Sequence, residues 1–238
     1  MKKYKMAIGL FVAIVLIFSL YGFAARRNAK RTIKNVNISF VNLYEPIISE
    51  KNVNKLLIQN NQEFQKAPLE KLDLNLRETE LRKNPMVRVA DVSLTIDGTL
   101  EAVVEPRKPI ARIMTVPNQY LDADNSLMPL SSEYTVLVPL VYGYKESYKN
   151  KVYELLQAIR NDAFLKATIT DVRLNGKGEV TMEVRAYDYE IVLGEVSMIE
   201  SKLKNYKVFV AKMIKDNALQ DLGKIDLRYK NQVVVVKK

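Results

Sequence analysis

The feature that most narrows what this chain can be is an unbroken run of 20 uncharged residues, MAIGLFVAIVLIFSLYGFAA, from Met6 to Ala25. As a helix rising 1.5 Å per residue it spans about 30 Å, the thickness of a bilayer's hydrocarbon core. Lys2, Lys3 and Lys5 precede it and Arg26, Arg27, Lys30 and Arg31 follow it. Tyr21 and Phe23 stand near one end, where aromatic rings settle among lipid headgroups. A cleaved signal peptide is the alternative, because Gly22-Phe23-Ala24 loosely fits a small-x-small cleavage site. The long apolar stretch and the arginines directly after it favour a retained anchor. Basic residues on the two sides nearly balance, so orientation rests on bulk: a head of residues 1–5 stays in the cytoplasm and the body lies outside. Residues 6–25 are read as the transmembrane helix and 26–32 as a linker.

The formal net charge of +10 suggests nucleic acid until it is divided along the chain. Seven basic residues and no acid lie in the first 31 positions, which leaves 30 basic against 27 acidic in the rest, a net of +3. A near-neutral body behind a basic head is not the charge pattern of a nucleic-acid-binding domain. The absence of histidine and cysteine removes the commonest general base, thiolate nucleophiles, sulfur-ligated metals and disulfides.

The body divides in two. Lys34 to Val41 alternates as a strand with Val36, Ile38 and Phe40 on one face. A helix follows, capped by Ser49 and carrying the stripe Val53, Leu56 and Leu57; a second is announced by a capping box of Asn75 and Glu78 and stops before Pro85. A hairpin then pairs Val92, Leu94 and Ile96 with Leu100, Ala102 and Val104, and Asp97-Gly98 predicts a two-residue type I′ turn. Strand, helix, helix, strand, strand gives a small α+β domain of residues 33–106.

Residues 107–238 read as a second mixed α/β domain with an antiparallel-rich sheet. Val152, Leu155, Leu156 and Ile159 form a helical stripe after Ser147. Ile169–Leu174 and Val180–Val184 are strands joined by Asn175-Gly176-Lys177-Gly178. A capping box of Ser197 and Glu200 opens a long helix whose apolar face is Ile199, Leu203, Tyr206, Phe209, Val210 and Met213. Two strands close the chain, Lys224–Tyr229 and Gln232–Lys237.

Few side chains suggest chemistry. Asp122, Asp124, Ser126 and Glu133 occupy positions 1, 3, 5 and 12 of a calcium-loop pattern, but Leu127 stands where the loop needs glycine and Pro129 follows, so a hairpin turn is the better reading. The carboxylate pairs Glu101/Glu105 and Asp188/Glu190 lie on alternating strands and are read as solvated faces. No catalytic, cofactor or metal site is expected. The final strand is different: Val233 to Val236 is a β-branched run, read either as a sheet edge able to recruit another strand or as an internal strand paired on both sides.

Several local motifs in order resemble one family: the anchor, Asn84-Pro85-Met86-Val87 running to Ala90-Asp91-Val92, and Leu100-Glu101-Ala102-Val103-Val104-Glu105-Pro106-Arg107-Lys108-Pro109-Ile110-Ala111. Tyr120-Leu121-Asp122-Ala123-Asp124, Val138-Pro139-Leu140 with Gly143, and Ile225-Asp226-Leu227-Arg228-Tyr229 continue the series. Together they resemble the bacterial cell-division protein FtsQ (DivIB) family over nearly the whole chain. Asn125 departs from the glycine usual after the aspartate, and the long polar tails of relatives are absent.

The resemblance implies a single-pass inner-membrane protein with a periplasmic POTRA domain (β-α-α-β-β) followed by a β domain, no catalytic role and no cofactor. It further implies binding to the coiled-coil division proteins FtsB (DivIC) and FtsL, linking early division proteins to septal wall synthesis. The partner is expected to add a strand to the terminal sheet, with Arg228, Tyr229, Val233 and Val235 at the contact. A POTRA-bearing chaperone or export component that binds substrates by strand addition is the alternative, and an enzyme of cell-wall metabolism a third. No nucleic acid or small-molecule substrate is expected.

Overall fold

The computed structural model describes residues 2–29, 31–41, 47–58, 69, 72–230 and 232–238. The chain forms two compact units, Met1–Pro106 and Arg107–Lys238.

The apolar run lies within helix α1 (Lys2–Ala29), which extends past it at both ends. Gly9–Asn28 has a mean hydropathy of 2.0, and none of it is buried against protein. Leu10, Phe11, Leu16, Ile17, Phe18, Tyr21 and Phe23 are all more than half exposed. A helix apolar on every face, with no protein cover, calls for lipid as its solvent.

In the first unit β1 (Asn35–Phe40) pairs parallel with β3 (Thr99–Pro106), which pairs antiparallel with β2 (Val87–Leu94), giving the order β1-β3-β2. Helices α2 (Glu50–Ile58) and α3 (Leu74–Arg82) fall between β1 and β2 in the chain. The core joins Val53 and Leu57 of α2 and Leu81 of α3 to Val87, Ala90, Val92, Leu100, Ala102 and Val104, and Val36, Ile38 and Phe40 pack against it. Ser49 caps α2 as expected, its hydroxyl accepting the Asn52 N–H at 3.3 Å.

Two expectations need correction. The cap of α3 is Asp73, whose Oδ1 accepts the Leu76 N–H at 3.0 Å, while Asn75 lies inside the helix. Glu78 closes no capping box: its Oε1 accepts the Val92 N–H at 3.1 Å, and Arg82 donates to the Ala90 carbonyl at 2.8 Å. The hairpin turn is also longer than two residues. Thr95 N–H donates to Thr99 O at 2.9 Å and Gly98 N–H to Thr95 O at 3.1 Å, with Gly98 alone of the loop at positive φ (+94°). This is a three-residue loop with a glycine bulge; a type I′ turn would need positive φ at both central residues. Ile96, expected on an apolar strand face, stands at the tip and is 90% exposed.

The second unit is one nine-stranded sheet, and four strands lead into it: β4 (Pro109–Ile113), β5 (Gln119–Asp122), β6 (Leu127–Pro129) and β7 (Leu140–Tyr142). Then come α4 (Lys149–Arg160), α5 (Ala163–Thr168), β8 (Ile169–Leu174), β9 (Val180–Val184) and β10 (Glu190–Gly194). Helix α6 (Ile199–Lys215) and strands β11 (Leu222–Asp226) and β12 (Val234–Lys237) follow. The strand order is β12-β11-β10-β9-β8-β7-β4-β5-β6. Val152, Leu155, Leu156 and Ile159 of α4 are buried as their spacing predicts, as are Ile199, Leu203, Tyr206 and Val210 of α6. The Tyr189 and Tyr206 hydroxyls meet at 3.0 Å inside this core.

The calcium-like motif is a hairpin turn. Buried Asp122 accepts N–H groups of Asp124 (3.0 Å) and Ser126 (2.7 Å) on Oδ1 and pairs with Arg107 at 2.6 Å on Oδ2. Asn125 takes the left-handed backbone, φ +60°, which asparagine visits more readily than most residues.

Candidate partner-binding edge

The end of the sheet is built outward from α6. Helix α6 carries the chain from β10 to β11, and β11 lies parallel to β10 with Ile191 opposite Ile225. The start of α6 differs from the capping box expected at Ser197. Its cap is Met198 at φ +48°, with no side-chain cap bond. Lys202 acts there instead, its buried ammonium donating to Leu193 O at 2.9 Å and Glu195 O at 2.8 Å. Burial pulls the Lys202 pKa below the ordinary lysine value, partly countered by Glu195 and Asp226. The two carbonyl bonds hold the end of β10, where Gly194 turns at φ +69°.

Gly194 makes room for Arg228. A Cβ at position 194 would lie 2.6 Å from Arg228 Cγ, so only glycine lets the arginine stem lie across the strand end. The guanidinium then meets Asp226 two residues back: Nε lies 3.0 and 3.1 Å from its two oxygens and Nη2 2.6 Å from Oδ2, while the Arg228 backbone N–H donates to Oδ1 at 3.0 Å. The Asp226 side chain is 9% exposed and that of Arg228 53% exposed. Arg228 holds the Asp226 carboxyl below the usual carboxylate range, and Asp226 raises the arginine in turn. The arginine is thus fixed through its inner edge while half its surface faces solvent.

The expected strand Lys224–Tyr229 ends at Asp226, so Arg228 and Tyr229 stand in the turn before β12. Tyr229 is 52% exposed. Val233 precedes β12 and packs against the main core, whereas Val235 lies within the strand and is exposed. Of the four residues singled out in the sequence, three therefore present surface at this end of the sheet and Val233 mainly supports it.

β12 is an edge strand, paired antiparallel to β11 with Val235 opposite Ile225 and Val236 opposite Lys224. All four of its residues are exposed. Lys238 N–H donates to Asp221 O at 2.9 Å, which sets the alternation of the ladder. Backbone groups of Val236 and Val234 face β11, and those of Val235 and Lys237 face outward. A shallow groove bounded by Arg173, Thr181, Glu190, Lys224 and Arg228 lies on the adjoining sheet face. Such an edge offers unpaired donors and acceptors, valine side chains on alternate faces, and an aromatic and a guanidinium group at its entrance, which is the equipment for adding a strand.

Sequence reasoning found the valine run and the exposed aromatic but missed Gly194, Asp226 and Lys202. An isolated glycine after the apolar run Ile191-Val192-Leu193 was the available signal. Among the described residues no group of three or more His, Cys, Asp or Glu could hold a metal ion. A family model described as FtsQ/DivIB, C-terminal related, matches residues 108–236. No curated protein matches the chain.

Proposed function

Since the chain belongs to the FtsQ/DivIB family, whose proteins are scaffolds of the division machinery and not enzymes, we propose that it serves as the divisome's strand-accepting connector. Its apolar helix supports a single-pass membrane topology. In this reading the residues before the helix lie in the cytoplasm and the body in the periplasm. Residues 33–106 act as a POTRA domain, a reading supported by the β-α-α-β-β order. Residues 107–238 form the β domain that receives a coiled-coil partner of the FtsB/DivIC type together with FtsL, and so couple early division proteins to septal wall synthesis.

The observation that carries the reading is β12 as an open edge with the Val235 and Lys237 backbone turned outward. A partner strand laid there gains main-chain hydrogen bonds for affinity, and Tyr229 and Arg228 are placed as anchors for specificity. The test is photocrosslinking from positions 229 and 234–237 in dividing cells, with probes on β6 as reference. Adducts to an FtsB/DivIC-type protein from the β12 set alone are expected. Adducts from β6 with none from β12 would overturn the assignment.

A further inference from the structure

The β2–β3 hairpin brings an exposed apolar tip next to the end of α1. Lys34 N–H donates to Gly98 O at 2.9 Å, so the base of β1 is fastened to the hairpin loop. Lys34 lies five Cα–Cα steps past Ala29, the last residue of α1. Fully extended these steps reach at most about 17 Å, so the loop stays close to the bilayer surface wherever α1 spans the membrane. The contact is closer than that limit: Ala24, Arg27 and Arg31 line one cleft with Lys34, Ile96 and Asp97.

Two independent features meet in this cleft. Arg27, Arg31 and Lys34 bring three positive charges against the single carboxylate of Asp97, which is already engaged by the Thr95 and Thr99 hydroxyls. Beside them Ile96 is 90% exposed, a β-branched apolar side chain carried at a turn tip where polar residues are the rule. Cations at headgroup depth favour anionic lipid phosphates, and an apolar side chain beside them gains by entering the acyl boundary.

We propose that this hairpin tip is a second membrane contact, in which Ile96 inserts at the bilayer interface and Arg27, Arg31 and Lys34 hold the phosphate of an anionic phospholipid. The contact fixes the first unit against the membrane at two points, α1 and the tip, and restricts its rotation about the linker. It requires α1 to span the membrane and is independent of strand addition at β12.

The chain contains no tryptophan, so Ile96→Trp in the full-length protein introduces the sole indole emitter. The protein is reconstituted in nanodiscs whose belt carries no tryptophan, of phosphatidylcholine alone or with about a third phosphatidylglycerol, a surface that attracts basic residues. Val89→Trp is the reference, on an exposed position of β2 and about 23 Å back along the strand. In the anionic discs emission from the indole at position 96 is expected to shift to the blue and to be quenched by brominated lipid several times more than emission from the indole at position 89. Quenching at the tip is expected to fall severalfold in neutral discs and with Arg31→Glu/Lys34→Glu, or partially with the milder Lys34→Gln, and to persist when inorganic phosphate is added.

Equal quenching at positions 96 and 89 overturns the proposal, as does a blue shift without lipid quenching, the signature of a protein contact. Equal quenching in both lipids that ignores the charge reversal removes the headgroup site. Loss of quenching on adding phosphate marks a site for the free ion and overturns the lipid assignment.

Discussion

The edge strands β2 and β12 receive opposite treatment. β2 closes the three-stranded sheet, and two side chains of α3 occupy its outer backbone: Glu78 accepts the Val92 N–H and Arg82 donates to the Ala90 carbonyl. β12 closes the nine-stranded sheet with every residue exposed and the backbone of Val235 and Lys237 turned outward. Exposed edges invite pairing with other chains, and proteins commonly block them. Here the same chain blocks one edge with a helix and leaves a valine-rich edge available. In the proposed reading the open edge is the binding feature, and the contrast between the two strands is what supports it.

The sharpest way to break the contrast is one substitution made at both edges. Val92→Pro removes a donor that Glu78 uses and disturbs a buried side chain, so it should destabilise the first unit by about 3 kcal/mol, seen as a large drop in Tm. Val235→Pro removes an outward donor only. It should weaken partner binding by about thirtyfold or more, roughly 2 kcal/mol, while Tm moves by less than about 3 °C. Calorimetry and a binding titration on the two variants read both effects, and a Tm loss at 235 as large as at 92 would show that β12 is not free on its outer side.

Next in size is Tyr229→Ala. Tyrosine is enriched among interface hot spots, so the expected loss is about 2 kcal/mol of binding with little change in Tm. A destabilised variant that binds normally would place Tyr229 in the fold and not the interface. Glu78→Ala probes the closed edge from the other side: it leaves the Val92 N–H without its acceptor and should cost about 1 kcal/mol in chemical denaturation, with partner binding unchanged.

The smallest effect concerns acid. Arg228 depresses the Asp226 carboxyl, so the unfolded chain binds the proton more readily than the folded one, and stability rises with pH between the two pKa values. The contribution is complete above the unfolded value of about 4 and is lost as pH falls through the lower folded value. Asp226→Asn should flatten part of the Tm slope below about pH 4, with the remainder belonging in part to Asp162, which Lys207 also depresses. An unchanged slope would mean that the pair exerts no hold on the turn.

How much of this was readable beforehand depends on the range of the interaction. The α4 stripe and the hairpin at Asn175–Gly178 are local patterns, and both stand where the periodicity puts them. Caps were less legible. Asn75/Glu78 and Ser197/Glu200 both fit a capping box, yet Glu78 is drawn to a strand edge 14 residues away and Met198 opens α6 in a left-handed turn. β6 and β7 are three residues each, too short to show alternation, and α5 is a six-residue helix with one buried side chain. At the candidate site the valine run was visible because composition alone reveals it. The seat of Arg228 was not, since it joins a positive φ at Gly194 to a side chain 34 positions later across a parallel pairing that only α6 creates.

The shortness of β12 bears on where its binding can take place. Four residues expose two outward-facing backbone positions, and hydrogen bonds each worth about 1 kcal/mol net cannot by themselves hold two freely diffusing proteins together. In the proposed reading an anchored helix changes the arithmetic: it tethers the edge to the bilayer, and a partner tethered to the same bilayer would meet it at an effective concentration on the order of millimolar. A contact of modest strength in bulk solution would then form readily where both chains share a membrane and loosen when either leaves it. In that reading the length of the strand and the presence of the anchor act together, as a reversible joint whose on-state is set by shared residence in the membrane.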